Sequence, residues 1–173
     1  MEQEERSAGV QTREREDLAG EHPLGDAGQM VLFLLFVGVW VADSFFLSYS
    51  TFLTEEVSAS LRIPLAVIVL AISGYLATSG LRVVFGEIRE KPEVIRKGVF
   101  RVVRHPIYLS AILFYVALLV ASFSILAFVV WVMTVLFYVY LSRYEETLLM
   151  ERFGKEYEEY MKEVPMLIPR IRS

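Results

Sequence analysis

Apolar residues along the chain are gathered into long blocks. The first block covers residues 30–49 and the second covers residues 63–85, where Pro64 opens the predicted helix. Each block is close to the ~20 residues with which an α-helix crosses the ~30 Å hydrocarbon layer of a bilayer. Small residues four apart in the second block, as in Ser73/Ala77 and Gly74/Thr78, allow close contact between helices. The pattern predicts two transmembrane helices, the second of them central in the bundle.

The third apolar block, residues 106–141, is too long for one span and short for two. Ser122 and Ser124, which flank Phe123, are its predicted turn. They divide the block into two helices of roughly 16 residues, each ~24 Å long at the α-helical rise. Such a hairpin either thins the bilayer locally or ends short of the far surface, and a re-entrant hairpin is the alternative to two spans.

A charged segment with helical periodicity follows. Over residues 142–164, one helical face is apolar and consists of Leu149, Met150, Phe153, Tyr157, Tyr160, Met161 and Val164. This pattern predicts an amphipathic helix that continues from the fourth span along the membrane surface, with Gly154 inside it at a cost of about 1 kcal/mol. The predicted fold class is an all-α membrane protein with about four transmembrane helices and a C-terminal amphipathic cytoplasmic helix.

Basic residues follow the second and fourth spans. Residues 82–105 hold seven of them and residues 143–172 hold six, whereas the loop between the first two spans has only Arg62. Because cytoplasmic loops are enriched in lysine and arginine, this distribution predicts a multi-pass protein with both termini in the cytoplasm.

The N-terminal segment, residues 1–28, holds eight acids against three arginines and few apolar residues. Such a composition predicts a disordered acidic tail, separate from a membrane domain of residues 29–173. The tail accounts for most of the net charge of -4, and interleaved charges elsewhere do not indicate a nucleic-acid partner. Because the chain has no cysteine, disulfides, thiolate metal sites and a cysteine nucleophile are excluded, and no metal site is predicted.

One carboxylate conflicts with the apolar pattern of the C-terminal segment. Glu146 falls at the centre of the apolar stripe, and Glu145 falls near its polar edge. A carboxylate turned inward near the membrane requires a partner that bonds or neutralises it. Two hypotheses follow: Glu146 pairs with Arg143, or it faces a polar ligand.

A second group of polar residues begins the third span, where Arg104 and His105 precede Pro106. Backbone N–H groups and the helix dipole favour an anion at a helix N-terminus, and Tyr108 shares the face of His105. The alternative is that Arg104 and Tyr108 anchor the helix at the level of the lipid headgroups. With the acidic pole of the C-terminal helix, this basic pole suits a zwitterionic, amino-acid-like ligand.

Taken together, the segments GVFRVVRHPIY and YEETLLMERFGKEYEEYMKEVPMLIP resemble the core of the isoprenylcysteine carboxyl methyltransferase and phospholipid methyltransferase superfamily. The resemblance covers residues 98–170. It implies a membrane-embedded enzyme that uses S-adenosyl-L-methionine, with a pocket between the third span, the fourth span and the C-terminal helix.

The residues that the resemblance assigns to this cofactor are Arg104, His105, Tyr108, Glu145, Glu146, Leu167 and Ile168. The first five are implied to hold or line its polar part, and the last two to pack against adenine. His105 and Glu146 are also the candidate catalytic residues. Because a carboxylate acceptor needs no base, carboxyl O-methylation is favoured. The acceptor stays open among prenylated, lipid and small amphiphilic molecules, and the oligomeric state stays open too.

Two other functions fit parts of the pattern. One is an NADPH-binding membrane reductase from another branch of the same superfamily. The other is a small proton-coupled four-helix transporter, in which Asp43 of the first span carries the proton. The competing interpretation of Asp43 is a structural acid near the outer end of the span, hydrogen-bonded to Ser44 or Ser48.

Overall fold

The regular elements are helices throughout the part of the chain that a computed structural model describes, residues 25–86 and 93–170. In chain order they are α1 (Gly25–Val41), a π-helical turn (Ala42–Leu47), α2 (Leu53–Glu56), α3 (Ala59–Phe85), a 3-10 turn (Gly98–Arg101), α4 (Pro106–Ser122), α5 (Ile125–Phe153) and α6 (Lys155–Glu163). Residues 25–28, assigned to the acidic tail by the sequence pattern, form the start of α1. The rest of that tail lies outside the described residues.

Three helical segments are long and apolar enough to cross a membrane, namely Gly25–Leu47, Ala59–Phe85 and Ile125–Phe153. The fourth apolar helix, Pro106–Ser122, has 17 residues and is shorter. The predicted fold class, an all-α membrane protein with about four spans, is therefore confirmed.

The predicted turn between the third and fourth spans is also confirmed. Ser122 is the last residue of α4, and Phe123 adopts a left-handed conformation with φ of 49°. The Ser124 hydroxyl then accepts a hydrogen bond from the Ala127 amide (3.1 Å), which caps the start of α5.

The prediction that the second span is central in the bundle is wrong. Helix α3 lies at the edge and packs along α4, with most of its apolar side chains exposed. Its contact seam consists of Ala66, Ser73 and Gly80, spaced seven residues apart. The Ser73 hydroxyl donates to the Ser110 carbonyl (2.7 Å), whereas Gly74 has no neighbour where a Cβ would stand. A single contacting helix needs only one narrow stripe of small residues.

Asp43 is a buried structural acid that joins three segments at the end of the bundle away from Arg104. Its carboxylate accepts from the Ser50 hydroxyl (2.5 Å), the Ser124 hydroxyl (2.5 Å) and the amides of Tyr49 and Ser50 (3.0 Å each). The structural interpretation of this residue is thus supported, with partners other than the side chains of Ser44 and Ser48. These bonds tie the end of the first span to the turn that begins α5.

The C-terminal end of α4 is bonded by side chains from other segments. Trp40 donates to the Leu118 carbonyl (3.0 Å) and Thr54 donates to the Ser122 carbonyl (2.5 Å). Arg62 donates to the Ala121 carbonyl. Since the last carbonyls of a helix have no partners within it, these bonds allow a short helix to end in a mostly apolar environment.

The C-terminal amphipathic segment is two helices rather than one. Gly154 has φ of +53°, a conformation that side chains rarely adopt, and it separates α5 from α6. The predicted apolar stripe is nevertheless correct, because Tyr157, Tyr160 and Val164 are buried together against its other members. The break turns α6 back toward the 3-10 turn, where the Tyr160 hydroxyl donates to the Phe100 carbonyl (2.6 Å).

Candidate functional site

The entrance to α4 is held against the C-terminal segment by backbone hydrogen bonds. The Arg104 amide donates to the Pro165 carbonyl (2.9 Å), and the His105 amide donates to the Met166 carbonyl (3.1 Å). Proline at the first position of α4 lacks an N–H group, so the helix begins directly after this pairing. Residues separated by about sixty positions in the sequence therefore meet at one place.

The donor atoms of the Arg104 side chain are already bonded to a carboxylate and to backbone carbonyls. Its Nε and Nη2 both lie 2.7 Å from Oε1 of Glu146. Its Nη1 donates to the carbonyls of Met161 (3.1 Å) and Val164. The guanidinium thereby connects α5 to the end of α6, and the sequence-based pairing of Glu146 with Arg143 is replaced by a pairing with Arg104.

His105 stands between the two glutamates of α5. Its Nε2 lies 3.1 Å from Oε1 of Glu146, and its Nδ1 lies 3.5 Å from Oε2 of Glu145. Burial lowers the pKa of His105, but the bonds to the two glutamates and their charges outweigh this effect and raise the pKa above its usual value of 6.5. Folding therefore shifts the titration of His105 toward the imidazolium form.

Tyr108 completes the cluster one turn into α4. Its ring stacks on the His105 ring with centroids 5.7 Å apart and an angle of 4° between planes, and its hydroxyl donates to Oε1 of Glu145. On the other side, its ring packs against Tyr138 at 5.2 Å. The sequence-based grouping of Arg104, His105, Tyr108 and the two glutamates is thus a contact cluster in the structure.

A cavity of about 420 Å³ opens beside this cluster. Its polar lining consists of Asp26, Gln29, Arg104, His105, Tyr108 and Glu145, and its apolar lining comes mainly from α3, α4 and α5. Glu145, rather than Glu146, is the α5 carboxylate on the cavity wall. Glu146 is bonded to Arg104 and His105 and does not line this cavity.

The location of the cavity also differs from the expected one. It lies among the start of α1, the end of α3, the start of α4 and α5, and no residue of α6 lines it. Neither of the residues expected to pack on adenine lines it either, because Leu167 is buried in the core and Ile168 is 82% exposed. Sequence reasoning missed Asp26 and Gln29, whose signal is a pair of polar residues three apart just before the first apolar block.

The sequence matches a known protein family. No curated protein matches the sequence. The family model described as Phospholipid methyltransferase matches residues 55–156, which is more than half of the 173 residues and contains α3, α4 and α5 with the whole cluster. The resemblance to this superfamily is therefore confirmed: the chain belongs to the phospholipid methyltransferase family, within the isoprenylcysteine carboxyl methyltransferase-like superfamily, and is a membrane methyltransferase.

Proposed function

We propose that the chain transfers a methyl group from S-adenosylmethionine to a lipophilic or amphiphilic acceptor in the cavity beside the His105 cluster. The observation that carries this proposal is the convergence of His105, Tyr108 and Glu145 on one wall of a largely apolar cavity. Acidic and basic side chains line this cavity, which lies between helices of membrane-spanning length. On the predicted orientation, this end of the bundle faces the cytoplasm, from which a soluble cofactor enters.

The residues around the cavity suit this cofactor. Its volume of about 420 Å³ lies within the ~300–1,000 Å³ of typical ligand sites. Glu145 and Asp26 suit an ammonium group, a sulfonium centre or ribose hydroxyls, whereas both ring nitrogens of His105 already bond the two glutamates of α5. Arg104 is a weaker candidate for direct contact than the sequence implies, because its donors already bond Glu146 and two carbonyls.

When bound, the cofactor supplies an activated methyl group, so little covalent chemistry is required of the protein. The protein residues position the reactants. Glu146, which is bonded to Arg104, fixes His105, and His105 and Tyr108 fix Glu145 on the cavity wall. Such preorganisation aligns the two reactants and is worth several orders of magnitude in rate. Apolar walls from α3 and α5 limit water at the reacting atoms.

Two acceptor chemistries are proposed, each for a stated reason. A carboxylate is already nucleophilic and needs no base, which is the reason for carboxyl O-methylation. An amine must first lose a proton, and Glu145 is an acid on the cavity wall that can accept it. Asp26, which also lines the cavity, adds a second negative charge, which attracts a protonated amine and repels a carboxylate. Because Arg104 and His105 line the same cavity as these two acids, both acceptors remain proposals.

Calorimetric titration of the purified protein with S-adenosylhomocysteine tests the cofactor. We expect binding that is weakened at least tenfold in His105→Ala and Glu145→Gln. Glu151→Gln is the matched control, since Glu151 is an exposed acid on the same helix, and it should bind as the parent does. Tight binding of NADPH without any response to S-adenosylhomocysteine would favour the reductase instead. Proton-dependent export that is lost in Asp43→Asn would favour the transporter.

Labelled methyl transfer distinguishes the acceptors. The protein in nanodiscs is offered either a prenylated cysteine carboxylate or phosphatidylethanolamine, together with methyl-labelled S-adenosylmethionine. A methyl ester releases labelled methanol in base, whereas an N-methyl amine does not. Label that stays in the non-volatile ethanolamine headgroup after base treatment supports the amine, and labelled methanol supports the carboxylate.

A further inference from the structure

A second cavity, also of about 420 Å³, lies beside the 3-10 turn and shares no lining residue with the first. Its walls come from the 3-10 turn, from α6 and from the C-terminal segment. The charged residues that line it are Arg96, Arg101, Lys162, Arg170 and Glu163. Among the described residues on its walls, four cations thus face one acid.

One wall of this basic cavity is fixed by packing. The Arg96 guanidinium lies 5.5 Å from the ring centroid of Tyr160, donates to the Glu156 carbonyl and is 3.8 Å from Glu163. Tyr160 is itself buried and bonded to the Phe100 carbonyl (2.6 Å). The positive charge of Arg96 is therefore held at the cavity rather than spread over a mobile side chain.

The other cations leave positive charge in excess. Lys162 is bonded to Glu158 (2.7 Å) along the exposed face of α6. Arg101 and Arg170 have no ion-pair partner within residues 25–86 and 93–170. Two guanidinium groups on different segments thus line the cavity without an acidic partner among the described residues. Guanidinium is the side-chain group that binds phosphate oxygens in a bidentate manner.

Apolar side chains stand exposed beside these cations. Val102 lines the cavity and is 51% exposed, and Ile168 is 82% exposed two residues before Arg170. The whole group lies at the end of the bundle where α4 begins directly after residues 101–105. Basic residues next to exposed apolar ones at the end of a membrane helix are typical of the headgroup region, where the apolar side chains reach acyl chains.

We propose that this basic cavity binds the phosphate of an anionic phospholipid in the leaflet on its side of the membrane. The guanidinium groups of Arg101 and Arg170 bind the phosphate oxygens, Arg96 adds a fixed charge, and Val102 contacts the upper acyl chain. A free phosphate ion would use the cations alone and would give the exposed apolar residues no role. The site is separate from the methyl-transfer cavity and does not depend on the function proposed for it.

Native mass spectrometry of the full chain released from nanodiscs tests this site. The probe is phosphatidylglycerol mixed into phosphatidylcholine, and the readout is the amount of phosphatidylglycerol retained by the protein. We expect retention by the parent chain and a loss on the order of tenfold in Arg101→Gln/Arg170→Gln. Arg143→Gln/Lys155→Gln removes the same charge from exposed positions outside the cavity and should retain the lipid as the parent does.

The outcomes separate the possible ligands. Equal loss of lipid in both double variants would show general surface attraction and overturn the proposal, as would a parent chain that retains no phosphatidylglycerol. Inorganic phosphate or glycerol phosphate that displaces the lipid at equal concentration would assign the site to a soluble anion and refute the lipid. Thermal unfolding in pure phosphatidylcholine nanodiscs verifies that the variants fold, and the single variants Arg101→Gln and Arg170→Gln replace the double variant if it does not.

Discussion

Replacement of Glu146 is the sharpest test of the cluster, because one oxygen of this carboxylate holds two cationic groups. Oε1 accepts from Nε and Nη2 of Arg104 at 2.7 Å each and from Nε2 of His105 at 3.1 Å. The side chains of Arg104, His105 and Glu146 are only 8%, 6% and 9% exposed. Glu146→Ala therefore removes the carboxylate that pairs with the buried Arg104 and leaves His105 with Glu145 as its remaining acidic partner.

The expected cost follows from this burial. Removing one partner of a buried ion pair costs about 3–5 kcal/mol. Since Arg104 keeps the carbonyls of Met161 and Val164 as acceptors, the loss should fall near the lower end, at about 3 kcal/mol. Glu146→Gln keeps the volume and one acceptor oxygen, so it should cost about 1–2 kcal/mol.

Thermal and denaturant unfolding in detergent micelles, followed by tryptophan fluorescence, measures these losses. Glu151→Ala, an exposed acid on the same helix, is the control and should change stability by no more than about 0.5 kcal/mol. A double-mutant cycle with Arg104→Met then isolates the pair, for which we expect a coupling energy of about 1–3 kcal/mol. A cost for Glu146→Ala as small as that of Glu151→Ala, or no coupling to Arg104, would show that the pair does not hold the cluster together.

Three further predictions follow from the structure. The pKa of His105 is raised on folding, so the contribution of its protonated form to stability is complete below pH ~6.5 and is lost as the pH rises through the raised value. In His105→Gln, the free energy of unfolding measured against pH should lose this part of its pH dependence. A variant with the same pH dependence as the parent would contradict the raised pKa. Gly80→Ala places a Cβ 2.9 Å from Cγ1 of Ile107 and should cost about 1–3 kcal/mol, whereas Gly74→Ala meets no atom and should be neutral or stabilising by up to about 1 kcal/mol. Equal effects of the two substitutions in thermal unfolding would refute the close contact of α3 with α4. Gly154→Ala forces a residue with a side chain to adopt φ of +53° and should cost about 1–3 kcal/mol of stability, although space is available for the methyl group. An unchanged free energy of unfolding would mean that the break between α5 and α6 is absent in solution.

Patterns that depend on neighbours along the chain were predictable from the sequence. The apolar blocks located all four apolar helices to within a few residues at most ends, because hydropathy and helix length are local quantities. The turn at Phe123 was predictable for the same reason, since its flanking serines interrupt the apolar block and one of them caps α5. The helical projection of residues 142–164 likewise identified every member of the apolar cluster on α5 and α6.

Features that depend on the backbone conformation of one residue were harder to predict. Gly154 was expected to lie inside a continuous helix, since its propensity cost is small compared with the packing of the stripe. The structure instead uses its freedom to adopt a positive φ and turn α6 back over the entrance to α4. Only the contacts of α6 with distant segments, such as the bond from Tyr160 to Phe100, favour the break over the continuous helix.

The sequence alone determined which residues form the cluster, because Arg104, His105 and Tyr108 stand at a helix N-terminus and Glu146 interrupts an apolar stripe. Only the tertiary structure decided which of them contact one another and which face the cavity. Arg104 is bonded to Glu146 and to carbonyls of α6, and Glu145 rather than Glu146 reaches the cavity wall. The physical reason is that charge pairing in a poorly solvated environment depends on distances between segments that are far apart in the sequence, and helical periodicity reports only the face on which a residue lies.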